Sequence, residues 1–164
     1  MDNKQKNIQF LNEITNEAIK NNQPIQIHVY GDGPDKHLIE NNPNIILHGA
    51  FNQKNIVNIL SKIKVLLLPS KFEGFGLVIA EALANGIPCI IANTYLNASF
   101  LIDDTRGKLI DSFDSKLWLE AINKIMNLSN NEYNQLVQNC IEFAKNNLSL
   151  EQFESKWLNL INEK

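Results

Sequence analysis

The sequence is poor in several things, and each shortage removes a class of function. Its apolar runs are all far shorter than the roughly twenty residues that a membrane-spanning helix needs, and its opening residues do not read as a secretory leader. Arginine occurs once, as Arg106, and the formal net charge is −3. With no basic face to neutralise a phosphate backbone, nucleic acid is not expected as the main partner. The two cysteines, Cys89 and Cys140, have neither metal-ligand spacing nor the density of a disulfide framework. They fit a reduced, cytoplasmic protein, with Cys89 in a core strand. His28, His37 and His48 form no nucleophile or metal constellation and read as structural or surface imidazoles. In a chain this rich in asparagine, the sequons at Asn97, Asn127 and Asn147 carry no weight without a secretory signal.

What remains is an ordinary globular composition, 44% hydrophobic and 20% charged, in a 164-residue chain long enough for one domain with a real core. Residues 4–22 place Ile8, Leu11, Ile14, Ala18 and Ile19 at helical spacing, and Asn21, Asn22 and Pro24 end that helix. An apolar stretch at 25–30 then runs into Gly31-Asp32-Gly33-Pro34 and a short helix over about 35–41. Ile45-Ile46-Leu47-His48 is the next strand, closed by Gly49, and 54–62 is a helix. Strands follow at 64–68, 89–92 and 108–111, with a less regular segment over 94–102 that has room for a short helix. From 114 onward the pattern is helical, over 114–128, 131–146 and 150–162, with Ser129 and Ser149 as N-cap or linker residues. Strand and helix alternate up to residue 110. The expected fold is therefore α/β, a Rossmann-like parallel sheet with helices on both faces and a helical C-terminal third.

The chain is organised around residues 69–88, Pro-Ser-Lys-Phe-Glu-Gly-Phe-Gly-Leu-Val-Ile-Ala-Glu-Ala-Leu-Ala-Asn-Gly-Ile-Pro. This stretch follows the buried-strand run Val65-Leu66-Leu67-Leu68. Gly74 and Gly76 bracket Phe75, a helix runs from Leu77 to Asn85, and Gly86 and Pro88 stop it. In open α/β sheets ligands sit at the carboxyl ends of strands, where helix N-termini present free amides. Glu73 lies in the turn, and Glu81 lies two turns into the helix with its side chain leaning back towards the start. Amides near Gly76 and Leu77 suit phosphate, and two carboxylates suit sugar hydroxyls.

The string Glu-Gly-Phe-Gly-Leu-Val-x-x-Glu-Ala-x-Ala-x-Gly-x-Pro resembles the donor-site signature of the family-four retaining glycosyltransferases, which have the two-domain GT-B fold. The resemblance covers about residues 6–110 and is specific around 69–88. It implies that Glu81 holds the ribose hydroxyls of a nucleotide-sugar, and that Glu73, the catalytic candidate, holds the donor-sugar hydroxyls. It further implies that the amides of Gly74, Phe75, Gly76 and Leu77 hold the diphosphate and sugar. Gly31-Asp32-Gly33 resembles the family's glycine turn before the base pocket, with Gly31 and Gly33 as the donor-site residues. His48-Gly49-Ala50-Phe51 resembles the next element, where Ala50 and Phe51 would meet the base edge. Lys6-Asn7-Ile8 resembles the element whose lysine neutralises the diphosphate. No metal and no further cofactor is expected. One departure is Phe100, near the place where family members commonly carry a Glu.

The resemblance makes residues 1–164 a single donor-binding domain, the C-terminal half of a GT-B enzyme, without the N-terminal acceptor domain and without the domain's first strand. The implied enzyme passes a sugar from a nucleotide-sugar donor to a glycan or lipid acceptor, as in polysaccharide biosynthesis, with membrane association of the parent enzyme left open. A non-enzymatic nucleotide-sugar-binding module and a GT-B sugar-nucleotide epimerase are the alternatives. In the doubly wound order the first strand lies at the centre of the sheet. Buried unpaired backbone groups cost roughly 1–3 kcal/mol apiece, so strands 25–30 and 64–68 are expected to close the gap by pairing directly.

Overall fold

The computed structural model describes residues 2–152 together with 154, 158 and 161. Its strands are β1 (Ile27–Tyr30), β2 (Ile45–Gly49), β3 (Leu66–Leu68), β4 (Cys89–Ala92) and β5 (Gly107–Ile110). All pairings are parallel, but they fall into two sheets, β1–β2 and β3–β4–β5. The five strands were legible and the direct pairing of β1 with β3 was not. No ladder joins them, and a cavity of about 860 Å³ lies between them.

A spacer holds the two sheets apart. The short helix α1 (Asn3–Lys6) bonds to the segments that follow β1 and β3. The Asn3 amide donates to Asp35 Oδ2 (2.8 Å) in the segment after β1, while Gln5 O accepts from the Lys71 amide (2.8 Å) in the turn after β3. Pinned on both sides, α1 fixes the separation of the strand ends. It also corrects the single helix expected over 4–22: Asn7 adopts φ 51°, a left-handed conformation that asparagine tolerates, and α2 (Phe10–Lys20) starts afresh. The apolar period continues across this break, so the sequence pattern does not reveal it.

Helix α2 buries Phe10, Leu11, Ile14 and Ala18, the stripe that a 3.6-residue period lays on one face. It packs with α6 (Ser115–Met126), and Phe10 sets its ring edge-on to Trp118 (5.5 Å between centroids). Trp118 is fully buried and its indole N–H donates to Ser112 O (2.9 Å), so its one polar atom is satisfied. The opposite layer is built by α3 (Ile56–Leu60), α4 (Leu77–Ala84), α5 (Ala98–Leu101) and α7 (Asn130–Asn147). Between the layers β4 is buried on both faces: Ile90 and Ala92 face the α2/α6 cluster, Cys89 and Ile91 the α4/α7 cluster. A continuous apolar run is what such a strand requires. The segments expected as short helices at 35–41 and 54–62 are tighter, with 3-10 turns over Pro34–Leu38 and Gln53–Asn55, the second leading into α3.

Ser129 caps α7 in a reciprocal box with Glu132: the Glu132 carboxylate accepts from the Ser129 amide, and the serine hydroxyl accepts from the Glu132 amide. Ser149 accepts from the Gln152 amide (3.3 Å), and residues 150–152, 154, 158 and 161 are helical. The remainder of the helix expected over 150–162 lies outside the described residues.

The loop before β5 is tied by charge. Arg106 donates to Leu101 O, pairs with Asp103 (2.9 Å) and lies over the Phe143 ring, 3.9 Å from its centroid. Partial burial works against the Asp103 carboxylate, but hydrogen bonds from Thr105 and the Arg106 charge outweigh it and lower its pKa below the ordinary 3.8. A lowered carboxylate contributes stability that is present above the unfolded-state value and is lost as pH falls through the folded one. Thermal unfolding followed from about pH 5 downward should show that loss. Asp103→Asn should flatten this part of the profile; an unchanged slope would remove the role given to Asp103.

Candidate functional site

The turn after β3 and the start of α4 carry Glu73, Gly74, Phe75, Gly76 and Leu77, and Lys6 reaches them from α1. Lys6 Nζ meets Glu73 Oε1 at 2.6 Å, joining residues 67 apart in the chain. The Glu73 side chain is 9% exposed and that of Lys6 37%, so the carboxylate is held in the turn while the ammonium keeps access to water. This contact follows from α1 as spacer, because the Gln5–Lys71 backbone bond sets Lys6 beside the turn that carries Glu73.

Gly76 is the N-cap of α4, at φ 81° and ψ 49°, and no side chain caps this helix. Its carbonyl accepts from the Ile79 amide (2.8 Å), which starts the helical ladder and leaves the amides of the first turn directed outward from the helix start. Such amides, with the positive end of the helix dipole, form an anion site. Phe75 and Leu77 flank Gly76 with exposed side chains, and Gly74 has open space around its α-carbon. Glu81 is half-buried on the same helix.

On the other sheet, Gly31 N–H donates to Gly49 O (2.7 Å), holding the ends of β1 and β2 together beneath the Gly31-Asp32-Gly33 turn. Ala50 is exposed, and Phe51 is 42% exposed with its ring edge-on to Tyr30 (6.3 Å). His48 stacks on both Tyr30 and His28, and its Nε2 lies 2.8 Å from His28 Nδ1. These imidazoles are therefore engaged with each other and with an aromatic ring. Among the described residues no group of three or more His, Cys, Asp or Glu is placed to hold a metal ion. No helix among them is long and apolar enough to cross a membrane. Phe100 sets its ring against Phe143 (5.4 Å).

Two site groups escaped the sequence reading. Ser70 Oγ and Tyr95 OH are buried and make no hydrogen bond among the described residues. Burial, then the negative charge of Glu73, then Cys89, pushes the Tyr95 phenol well up, so it stays a neutral hydroxyl. Thr94 Oγ1 donates to Ser70 O (2.8 Å), which ties the two strand ends together. The signal was present: Ser70 and Thr94-Tyr95 stand directly after two parallel strands, where α/β sheets bind ligands.

Lys6, Glu73 and the uncapped start of α4 thus stand together at the ends of parallel strands. The sequence profile described as Glycosyl transferases group 1 matches residues 2–146. The chain belongs to this family. Its relatives include the poly(ribitol-phosphate) alpha-N-acetylglucosaminyltransferase of Staphylococcus aureus, 28% identical over 169 residues, covering 96% of this chain and 33% of that protein. A crystal structure of an S. aureus TarM variant in complex with Fondaparinux, alpha-GlcNAc-glycerol and UDP superposes with a TM-score of 0.82 at 25% identity, covering 96% of this chain and 33% of that one. The pneumococcal O-GlcNAc transferase GtfA in complex with UDP and GlcNAc gives 0.76 at 25% identity, covering 99% and 34%. Residues 1–164 thus span about a third of the length of these proteins.

Proposed function

We propose that this chain is the donor-binding domain of a retaining glycosyltransferase that moves a sugar from a nucleotide-sugar to a glycan or lipid acceptor. The observation that carries the reading is the Lys6–Glu73 contact beside the uncapped start of α4. One ammonium, a row of outward amides and a carboxylate suit a ligand that is a diphosphate on one side and a polyol on the other. Lys6 and the amides from Gly74 to Leu77 take the diphosphate, Glu73 the donor-sugar hydroxyls and Glu81 the ribose hydroxyls. The base lies towards Gly31, Gly33, Ala50 and Phe51. As the glycosidic bond breaks, negative charge grows on the leaving diphosphate, and fixed amides with Lys6 stabilise that charge without a metal. S. aureus TarM and pneumococcal GtfA, whose structures contain UDP, support the choice of ligand class.

Calorimetry with UDP, GDP, ADP and their sugar esters tests the reading. Binding of at least one of them is expected, and Glu81→Ala should weaken it by about 1–3 kcal/mol, roughly 5- to 150-fold, since ribose hydroxyls lose a charged acceptor. No binding to any of them at millimolar ligand would remove the donor site. Unchanged binding by the variant would remove only the part given to Glu81.

A further inference from the structure

The turn that carries Glu73 is joined at both ends to the segment after β4. At one end Thr94 Oγ1 donates to Ser70 O (2.8 Å), and the Tyr95 carbonyl then accepts from the Ala98 amide (3.1 Å) at the start of α5. At the other end a β-carbon placed on Gly76 would come within 3.6 Å of Leu101 Cδ1 in α5. Glu73 and Tyr95 lie between these two joints. Their polar groups are unevenly provided for. The Glu73 side chain is 9% exposed and holds the Lys6 ammonium, whereas Tyr95 OH is buried with no hydrogen bond among the described residues. A buried hydroxyl without a partner is costly and calls for a reason. Burial, then the charge of Glu73, keeps this phenol protonated, so it remains a donor.

We propose that Tyr95 is the reserve hydrogen-bond partner of Glu73: when an anion draws the Lys6 ammonium away, the Tyr95 hydroxyl donates to the carboxylate in its place. The inference rests on the reading of this site as one that receives a nucleoside diphosphate. A largely buried carboxylate stripped of its cation is strongly disfavoured, and a donor already at hand relieves that penalty. No proton is transferred; one hydrogen bond replaces another. Glu73 then keeps a partner and its place in the turn while Lys6 turns to phosphate. Tyr95 is thus a positioning residue that acts through Glu73. The orphan hydroxyl of the ligand-free protein is the cost of this second state, and binding relieves it.

Carbon-13 at tyrosine Cζ supplies the test. The chain has Tyr30, Tyr95 and Tyr133, and Tyr95→Phe identifies the signal that matters. That signal should move downfield, as for a phenol that donates to a carboxylate, in ligand-free Lys6→Met. It should do the same in the parent protein saturated with whichever of UDP, GDP and ADP binds most tightly. Lys6→Met/Glu73→Ala should return it to its original position. Tyr95→Phe should weaken that nucleotide about tenfold, because a hydrogen bond to a charged group is lost. Its urea midpoint should equal the parent's or rise, because the ligand-free protein sheds an unpartnered hydroxyl. A tyrosine of purely structural use would lower the midpoint and leave the affinity alone. A Tyr95 signal that stays in place in Lys6→Met, or parental affinity in Tyr95→Phe, would overturn the proposal. Failure of all three nucleotides to bind would remove the donor-site reading instead, and the ligand-free Lys6→Met spectrum would still decide whether Tyr95 takes over Glu73.

Discussion

Gly107→Ala should cost this domain about 3–5 kcal/mol, more than a methyl group added at Gly49, Gly74, Gly76 or Gly86. Gly107 opens β5 at φ 152° and stands opposite Cys89 in the register of β4 and β5. A β-carbon built there overlaps the Cys89 carbonyl oxygen and comes within 2.8 Å of Cys89 C and N. These are backbone atoms of the central, fully buried strand, so the clash cannot be relieved by rotating a side chain. Relief means breaking the start of the ladder, including the bond from Cys89 N–H to Arg106 O. Backbone strain of about 1–3 kcal/mol adds to hydrogen bonds worth about 1 kcal/mol each. Against a total stability of roughly 5–15 kcal/mol, that loss lowers the transition midpoint sharply. Gly74→Ala is the control, because a β-carbon there meets nothing within 4 Å. Urea unfolding of both variants should separate them clearly; equal midpoints would show that β5 is not seated against Cys89.

The second large effect belongs to binding. Gly76→Val should abolish detectable nucleotide-sugar affinity while the protein stays folded. At φ 81° a β-branched residue is a strained outlier, and its β-carbon would lie 2.9 Å from Ile79 Cδ1, itself fully buried. The side-chain clash can be eased by moving Ile79, at a cost of about 1–3 kcal/mol with the strain included. Easing the backbone strain rotates the very amides that start α4, so the anion site loses its geometry. Circular dichroism should show a folded protein and calorimetry no heat of binding. Full affinity in the variant would mean that these amides are not where the diphosphate sits.

How much of this was legible in the sequence depended on whether the deciding interaction was local. The buried strand at 89–92, the stop at Gly86 and the Ser129 cap are written in neighbouring residues, and all three are in the structure. The turn at Glu73 and the glycine N-cap of α4 were legible because the motif is contiguous. The partnership of Lys6 with Glu73 was not legible: the resemblance gave each residue a different part of the ligand, and nothing in the spacing of residues 67 apart announces a contact. The gap between the sheets was misjudged for a different reason. The cost of unpaired backbone groups argued for closure, but the wedge that resists closure is α1, and it depends on the Asn3–Asp35 and Gln5–Lys71 contacts. Those contacts are tertiary, and periodicity does not contain them.

The Lys6–Glu73 pair has a consequence for how any anion is received there. Lys6 does not wait as a bare charge, because it already holds a carboxylate at 2.6 Å. Arrival of any anion at Nζ would therefore be an exchange of one counter-anion for another, and the lysine's total electrostatic gain only the difference between them. Mobile ions screen the bond that is broken along with the bond that is made. Affinity at this site should thus fall with ionic strength more gently than attraction between a free ammonium and a doubly charged ligand would require. Glu73→Gln, which releases the lysine beforehand, should make that dependence steeper.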